Sequence, residues 1–222
     1  RILKTAFGIL IVLLGFRMIF LFYLNNRIMD LSQKILELSE KHFEDVLGIR
    51  RHIHRFPELS YEEFNTSAYI QEQLRSIGVP FQTGYVKHGI VGTIEGKNPG
   101  KKTIALRAEM DALPITEKNE IPFKSEYPGK MHACGHDLHM AALLGTSMIL
   151  NQLRKEFEGT VLLIFQPAEE KLPGGASLMI GEGAFKDRTP SLIIAQHVLP
   201  GLKTGMVGYR PGVYMASSDE IY

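Results

Sequence analysis

The chain is organised around one short segment, MHACGHDLH at residues 131–139. This segment contains three histidines, one aspartate and the only cysteine of the 222 residues. Gly135 separates Cys134 from His136, so a turn can direct both side chains toward one point. Thiolate and imidazole are ligands that suit zinc and similar borderline ions. Taken alone, the segment is compatible with a metal site, a reactive thiol or a polar turn.

Helix and strand patterns alternate on both sides of this segment. Apolar spacing predicts helices over residues 30–54, 61–77 and 176–180, and over 138–153 with Asp137 as the N-terminal cap. Apolar runs between turn signals predict strands at residues 81–86, 89–94, 103–107, 160–165, 191–195 and 204–209. This order indicates an α/β fold, a three-layer sandwich with a mostly parallel central sheet flanked by helices.

Three of the predicted strands are followed by polar side chains. Glu109 and Asp111 follow one strand, Glu169 and Glu170 the next, and His197 the third. Open α/β sheets bind their ligands at the carboxyl ends of the strands. If these strands are neighbours, their polar groups meet the 131–139 segment at one rim of the sheet.

The four side chains with the best donor chemistry are predicted to form a shell of sulfur, nitrogen and oxygen ligands: Cys134, His136, Glu170 and His197. Such a shell suits two divalent ions, zinc or manganese first and cobalt or nickel as alternatives. Glu169 can then deprotonate a metal-bound water and protonate the leaving amine.

Other roles are open for several of these groups. Glu169 and Glu170 could be a solvated pair, Cys134 a small buried hydrophobe and His197 a core histidine. His132 and His139 could orient metal ligands or simply be polar groups of a loop and a helix. His52 and His54, at the end of a predicted helix, are expected to be structural.

The composition argues against a nucleic acid partner and favours a reducing compartment. The net charge of +1 provides no basic surface for a phosphate backbone, so no nucleic acid partner is expected. A single cysteine cannot form an intrachain disulfide, which fits a reducing, cytoplasmic location. We expect a small-molecule substrate instead.

An apolar stretch at residues 5–24 is long enough to cross a bilayer. Arg17 in its middle would cost about 2.5–3.5 kcal/mol there. The stretch is therefore either a membrane anchor or sequence upstream of a natural start at Met29. We expect an apolar segment at 1–28, a catalytic domain at 29–212 and the start of another domain at 213–222.

Six motifs resemble one known family over about residues 40–222: the dinuclear metal amidohydrolases that include N-acyl-amino-acid hydrolases, hippurate hydrolase and plant auxin-conjugate hydrolases. They are RRHIHRFPELSYEE (50–63), LRAEMDALPI (106–115), MHACGHDLHMAALLG (131–145), GTVLLIFQPAEE (159–170), AQHV (195–198) and YMASSDEIY (214–222). The resemblance implies that Glu169 is the catalytic acid and base and Asp111 a supporting catalytic carboxylate. It also implies two metal ions on the four ligands given above.

The resemblance implies hydrolysis of the amide bond of N-acyl amino acids. Alternatives are a metal-dependent dipeptidase or carboxypeptidase of the same fold, a cysteine-nucleophile enzyme, and a catalytically incomplete binding fragment. Glu109 stands where the family usually has Asp. The family also has a lid and dimerisation domain and a returning segment with one more histidine ligand. We therefore expect a homodimer for the full-length protein and an incomplete site in this chain.

Overall fold

The computed structural model describes residues 26–213. The apolar stretch at 5–24 and nearly all of the predicted segments 1–28 and 213–222 lie outside these residues. The helices are α1 (Asn26–Lys41), α2 (Phe43–Arg55), α3 (Phe64–Ile77), α4 (His136–Gln152) and α5 (Gly175–Gly181). The strands are β1 (Phe81–Tyr85), β2 (Gly89–Glu95), β3 (Thr103–Glu109), β4 (Thr160–Gln166) and β5 (Ile193–Ala195). No helix within 26–213 has the length and apolar character that a membrane span requires.

The five strands form one sheet in the order β1-β2-β4-β3-β5. The α/β class and the flanking helices are confirmed, but the sheet is mixed rather than mostly parallel. β3 pairs in parallel with β4 and β5, whereas β2 pairs antiparallel with β1 and β4. The short turn between β1 and β2 permits only an antiparallel hairpin, which accounts for the first of the two antiparallel pairs.

Apolar side chains cover both faces of the sheet. All seven residues of β4 are buried. Leu163 and Phe165 belong to the larger core cluster with helices α1 to α4, and Leu162 and Ile164 belong to a smaller cluster with Met179 of α5. Successive strand residues point to opposite faces, so a strand whose interior residues are all apolar can pack against helices on both sides. This arrangement is the predicted three-layer sandwich.

The carboxyl ends of β3, β4 and β5 meet at one rim because these strands are parallel neighbours. Glu109 is in register with Gln166, and Arg107 is in register with both Ile164 and Ala195. The polar groups that follow the three strands therefore lie side by side at this rim, as the sequence pattern predicted for neighbouring strands.

Three local predictions were wrong. The helix predicted over 30–54 is two helices, because the chain leaves helical geometry at His42 (φ −92°, ψ 4°). Residues 204–209 form no strand; Tyr209 is 83% exposed and Met206 58%, so this segment lacks a buried face. Asp137 does not cap α4: the cap position is Gly135, and the Asp137 carboxylate binds Arg50 instead.

Candidate metal centre

The turn that carries Cys134 and His136 has left-handed geometry at Gly135 (φ 91°). A Cβ on Gly135 would lie 2.4 Å from Cγ2 of Val198. Glycine is thus required both for the backbone conformation and for the close approach of the segment after β5. That approach brings Nε2 of His197 to 3.4 Å from Sγ of Cys134.

The other three predicted ligands lie around the imidazole of His136. Cys134, His136 and His197 offer donor atoms that all lie within 4.8 Å of one another, and so do His136, Glu169 and Glu170. Nε2 of His136 lies 3.8 Å from Oε1 of Glu170 and 3.9 Å from Oε2 of Glu169. Oε1 of Glu170 is buried without a hydrogen-bond partner among residues 26–213.

Asp111 orients both His136 and Glu170. Nδ1 of His136 donates to the Asp111 carbonyl oxygen (2.8 Å), so Nε2 is the nitrogen directed toward Glu169 and Glu170. Oδ2 of Asp111 accepts hydrogen bonds from Ser60 Oγ (2.6 Å) and from the Glu170 N–H (2.9 Å). Burial would raise the pKa of Asp111, but hydrogen bonds from His136, Ser60 and the backbone lower it to about 2.

A left-handed bend at Ala168 (φ 49°) directs Glu169 and Glu170 to the rim. The Ala168 N–H donates to Oε1 of Glu63 (2.7 Å), and the Ala168 carbonyl accepts from the N–H of Gly175 (2.8 Å). Glu63 is fully buried, and this burial raises its pKa to about 7. Glu63 is the last residue of the RRHIHRFPELSYEE motif, and no local pattern in the sequence indicates this contact.

The centre concentrates negative charge. Burial first, and then hydrogen bonding and charge from Glu170, raise the pKa of the Cys134 thiol to about 12. Burial and the neighbouring Glu170 also raise the pKa of Glu169. A divalent cation among these groups would offset the repulsion and stabilise the thiolate. The donor set therefore fits divalent metal ions.

Two other histidines of the motifs, His54 and His132, lie in different environments. His54 bridges two carboxylates, with Nδ1 2.8 Å from Asp137 and Nε2 3.1 Å from Glu117. It lies in a buried network with Arg50, as a structural histidine would. His132 is buried with neither ring nitrogen hydrogen-bonded within 26–213.

Comparison with known proteins agrees with the resemblance. A model of peptidase family M20/M25/M40 matches residues 105–218. The chain is 40% identical over 191 residues to an N-acyl-L-amino acid amidohydrolase of Geobacillus stearothermophilus, covering 86% of this chain and 51% of that protein. It is 43% identical over 194 residues to thermostable carboxypeptidase 1 of Saccharolobus solfataricus, covering 86% and 48%.

A solved structure shows the same fold. It is that of a dinuclear metal-binding peptidase of the M20 family from Bacillus subtilis, with a TM-score of 0.69 and 39% identity. The similarity covers 73% of this chain and 45% of that chain. This chain spans about half the length of the relatives it matches. From the family match and these identities, the chain belongs to the M20/M25/M40 peptidase family.

Proposed function

We propose that the protein containing this chain is a metal-dependent hydrolase that cleaves the amide bond of N-acyl amino acids. The observation that carries the proposal is the meeting of Cys134, His136 and His197 with Glu169 and Glu170 at the rim of the sheet. The name of the amidohydrolase relative supports this substrate class.

The proposed metal ligands are Cys134, His136, Glu170 and His197, which would hold two divalent ions. Zinc or manganese suits this mixture of donors best, and cobalt or nickel is also compatible with it. The ions would polarise the scissile carbonyl and lower the pKa of the attacking water.

Glu169 is the proposed general base and general acid. Its carboxylate lies 3.9 Å from His136, at the edge of the ligand cluster and 39% exposed, so it can reach both water and substrate. Oε2 would accept the proton of the attacking water and then deliver it to the leaving nitrogen. Asp111 keeps His136 and the Glu170 backbone in place through the hydrogen bonds described above.

A second candidate activity is that of a carboxypeptidase or dipeptidase, which the 43% identity to thermostable carboxypeptidase 1 favours. Both activities break an amide bond next to an amino acid and need the same acid and base. They differ in what the enzyme binds on the acyl side of that bond.

The test uses the full-length protein. Purified enzyme is analysed for bound metal, then assayed with N-acetyl and N-benzoyl amino acids and with dipeptides, before and after dialysis against a chelator. We expect turnover that is lost on chelation and restored by zinc or manganese. The Glu169→Gln variant should lose at least about 100-fold in kcat, whereas the exposed Glu120→Gln should behave as wild type.

Turnover that survives complete removal of metal would contradict the proposal and favour Cys134 as a nucleophile. Metal binding with no turnover of either substrate class, and no effect of Glu169→Gln, would favour a binding module. Preference for dipeptides over N-acyl amino acids would favour the second candidate.

A further inference from the structure

We infer that Glu109 and His139 form a positioning relay that holds His197 as a metal ligand, and that His139 itself is not a ligand. The inference rests on the metal site of the proposed function. The alternative is that His139 is itself a metal ligand, because Glu109, His136 and His139 also bring donor atoms within 4.8 Å of one another.

Both ring nitrogens of His139 are already engaged by protein groups. The Val198 N–H donates to Nε2 of His139 at 3.1 Å. A ring nitrogen that accepts this bond carries no proton, so the proton is on Nδ1, which donates to Oε2 of Glu109 at 2.8 Å. The Nε2 lone pair that would bind an ion is therefore used by the backbone of Val198.

Glu109 is anchored on its other side as well. Its Oε1 accepts from Nη1 of Arg107 at 2.6 Å, and Nε of Arg107 donates to Oε1 of Gln166 at 2.6 Å. Glu109 is 3% exposed and His139 1%. These bonds tie the ends of β3 and β4 to α4, so the His139 ring has little freedom to rotate.

The relay ends on the residue that follows the proposed ligand. Val198 accepts a hydrogen bond on its carbonyl from Nδ1 of His197 (2.7 Å), while its N–H is held by His139. In a neutral ring that donates from Nδ1, the nitrogen free to bind a metal is Nε2, and this is the atom 3.4 Å from Sγ of Cys134. Both polar groups of the Val198 backbone thus link His139 to the ligand.

The segment around His197 needs such a link. β5 has only three residues and pairs with β3 alone among the described strands. His197 itself is exposed, and the rings of His139 and His197 lie 4.8 Å apart at an angle of 72°. The buried imidazole of His139 therefore anchors the exposed loop after β5, which carries the proposed ligand His197.

The first measurement is zinc affinity of the full-length protein by competition with a chromophoric chelator. We expect His139→Ala to weaken binding by about 10–100-fold, because partners that orient ligands contribute about that much. His139→Gln can place an amide oxygen near the Nε2 position and should recover most of the loss. Glu109→Gln should weaken binding, because one amide oxygen cannot serve both Arg107 and His139.

A matched control is Glu58→Gln. Glu58 is also a buried carboxylate, but it accepts hydrogen bonds from the first turn of α3 (Asn65 and Thr66). This variant should lose stability without losing zinc affinity. Zinc affinity of His139→Ala equal to that of wild type would overturn the inference.

The second measurement needs no variant, so it does not depend on whether a variant folds. Imidazole nitrogen NMR of the cadmium-loaded wild-type protein should show metal coupling at Nε2 of His197 and an Nδ1–H tautomer without coupling at His139. Metal coupling at His139 would overturn the inference. A wild-type protein that binds no metal would refute the proposed function, whereas normal binding that is unchanged in His139→Ala and Glu109→Gln would refute the relay alone.

Discussion

The backbone N–H of Ala168 donates to Oε1 of the buried Glu63 at 2.7 Å, across 105 residues of sequence. This bond joins the loop before α3 to the bend after β4. The bend carries Glu169 and Glu170, so a residue far from the 131–139 segment determines where these carboxylates point. Oε2 of Glu63 is buried without a hydrogen-bond partner within 26–213.

Replacing Glu63 by Ala should both destabilise the protein and reduce catalysis. The Ala168 N–H would lose its acceptor while remaining buried, which costs about 1–3 kcal/mol in the free energy of unfolding. Glu63→Gln keeps an oxygen in the same place and serves as the matched variant. Urea denaturation and kcat of the full-length protein check this, and equal kcat for the Ala and Gln variants would contradict it.

Glu63 should also make stability depend on pH. Its folded pKa of about 7 lies above the ordinary value of 4.5, so the folded state binds the proton more tightly than the unfolded state. The stabilisation of the folded state that this difference in pKa provides is complete below about pH 4.5 and is lost as pH rises through 7. At 1.36 kcal/mol per pKa unit the loss is at most about 3 kcal/mol.

The measurement is the free energy of unfolding of the metal-free protein against pH, for wild type and Glu63→Gln. The stability of the variant relative to wild type should increase between pH 4.5 and 7. Parallel curves for the two proteins over this interval would show that Glu63 does not titrate as described.

Gly135→Ala should weaken metal binding more than backbone strain alone explains. An alanine there has an unfavourable φ and a Cβ 2.4 Å from Val198, so it would push His197 away from Cys134. Gly129→Ala is the matched control, because Gly129 also has a positive φ (79°) but has no atom within 4 Å of the added Cβ. Zinc titrations should show a large loss only for Gly135→Ala; equal affinities would contradict the geometry.

Asp137→Ala should be among the most destabilising single changes in the chain. Its carboxylate is 2.8 Å from both Nε of Arg50 and Nδ1 of His54, and its side chain is 1% exposed. Removing one partner of a buried ionic network costs about 3–5 kcal/mol in the free energy of unfolding. Thermal and denaturant unfolding test this, with the exposed Asp30→Ala as the control that should change stability little.

The sequence by itself determined the features that rest on local pattern. The apolar run at 160–165 predicted the strand β4, and Gly78, directly after the helix predicted over 61–77, has the left-handed conformation that favours glycine at a helix C-terminus. The spacing of Cys134 and His136 and the polar residues after three strands marked the candidate site. Each of these signals lies within a few residues of the feature it predicts.

Only the tertiary structure decided the rest. The antiparallel pairing of β2 with β4, the two hydrogen bonds of His139 and the contact of Glu63 with Ala168 all join segments that are distant in sequence. Asp137 illustrates the reason: its local pattern favours a helix cap, yet the half-buried Arg50 and the buried His54 of α2 offer its charge stronger partners. Side-chain propensities act over one turn, whereas these partners are chosen by the packing of the whole sheet and its helices.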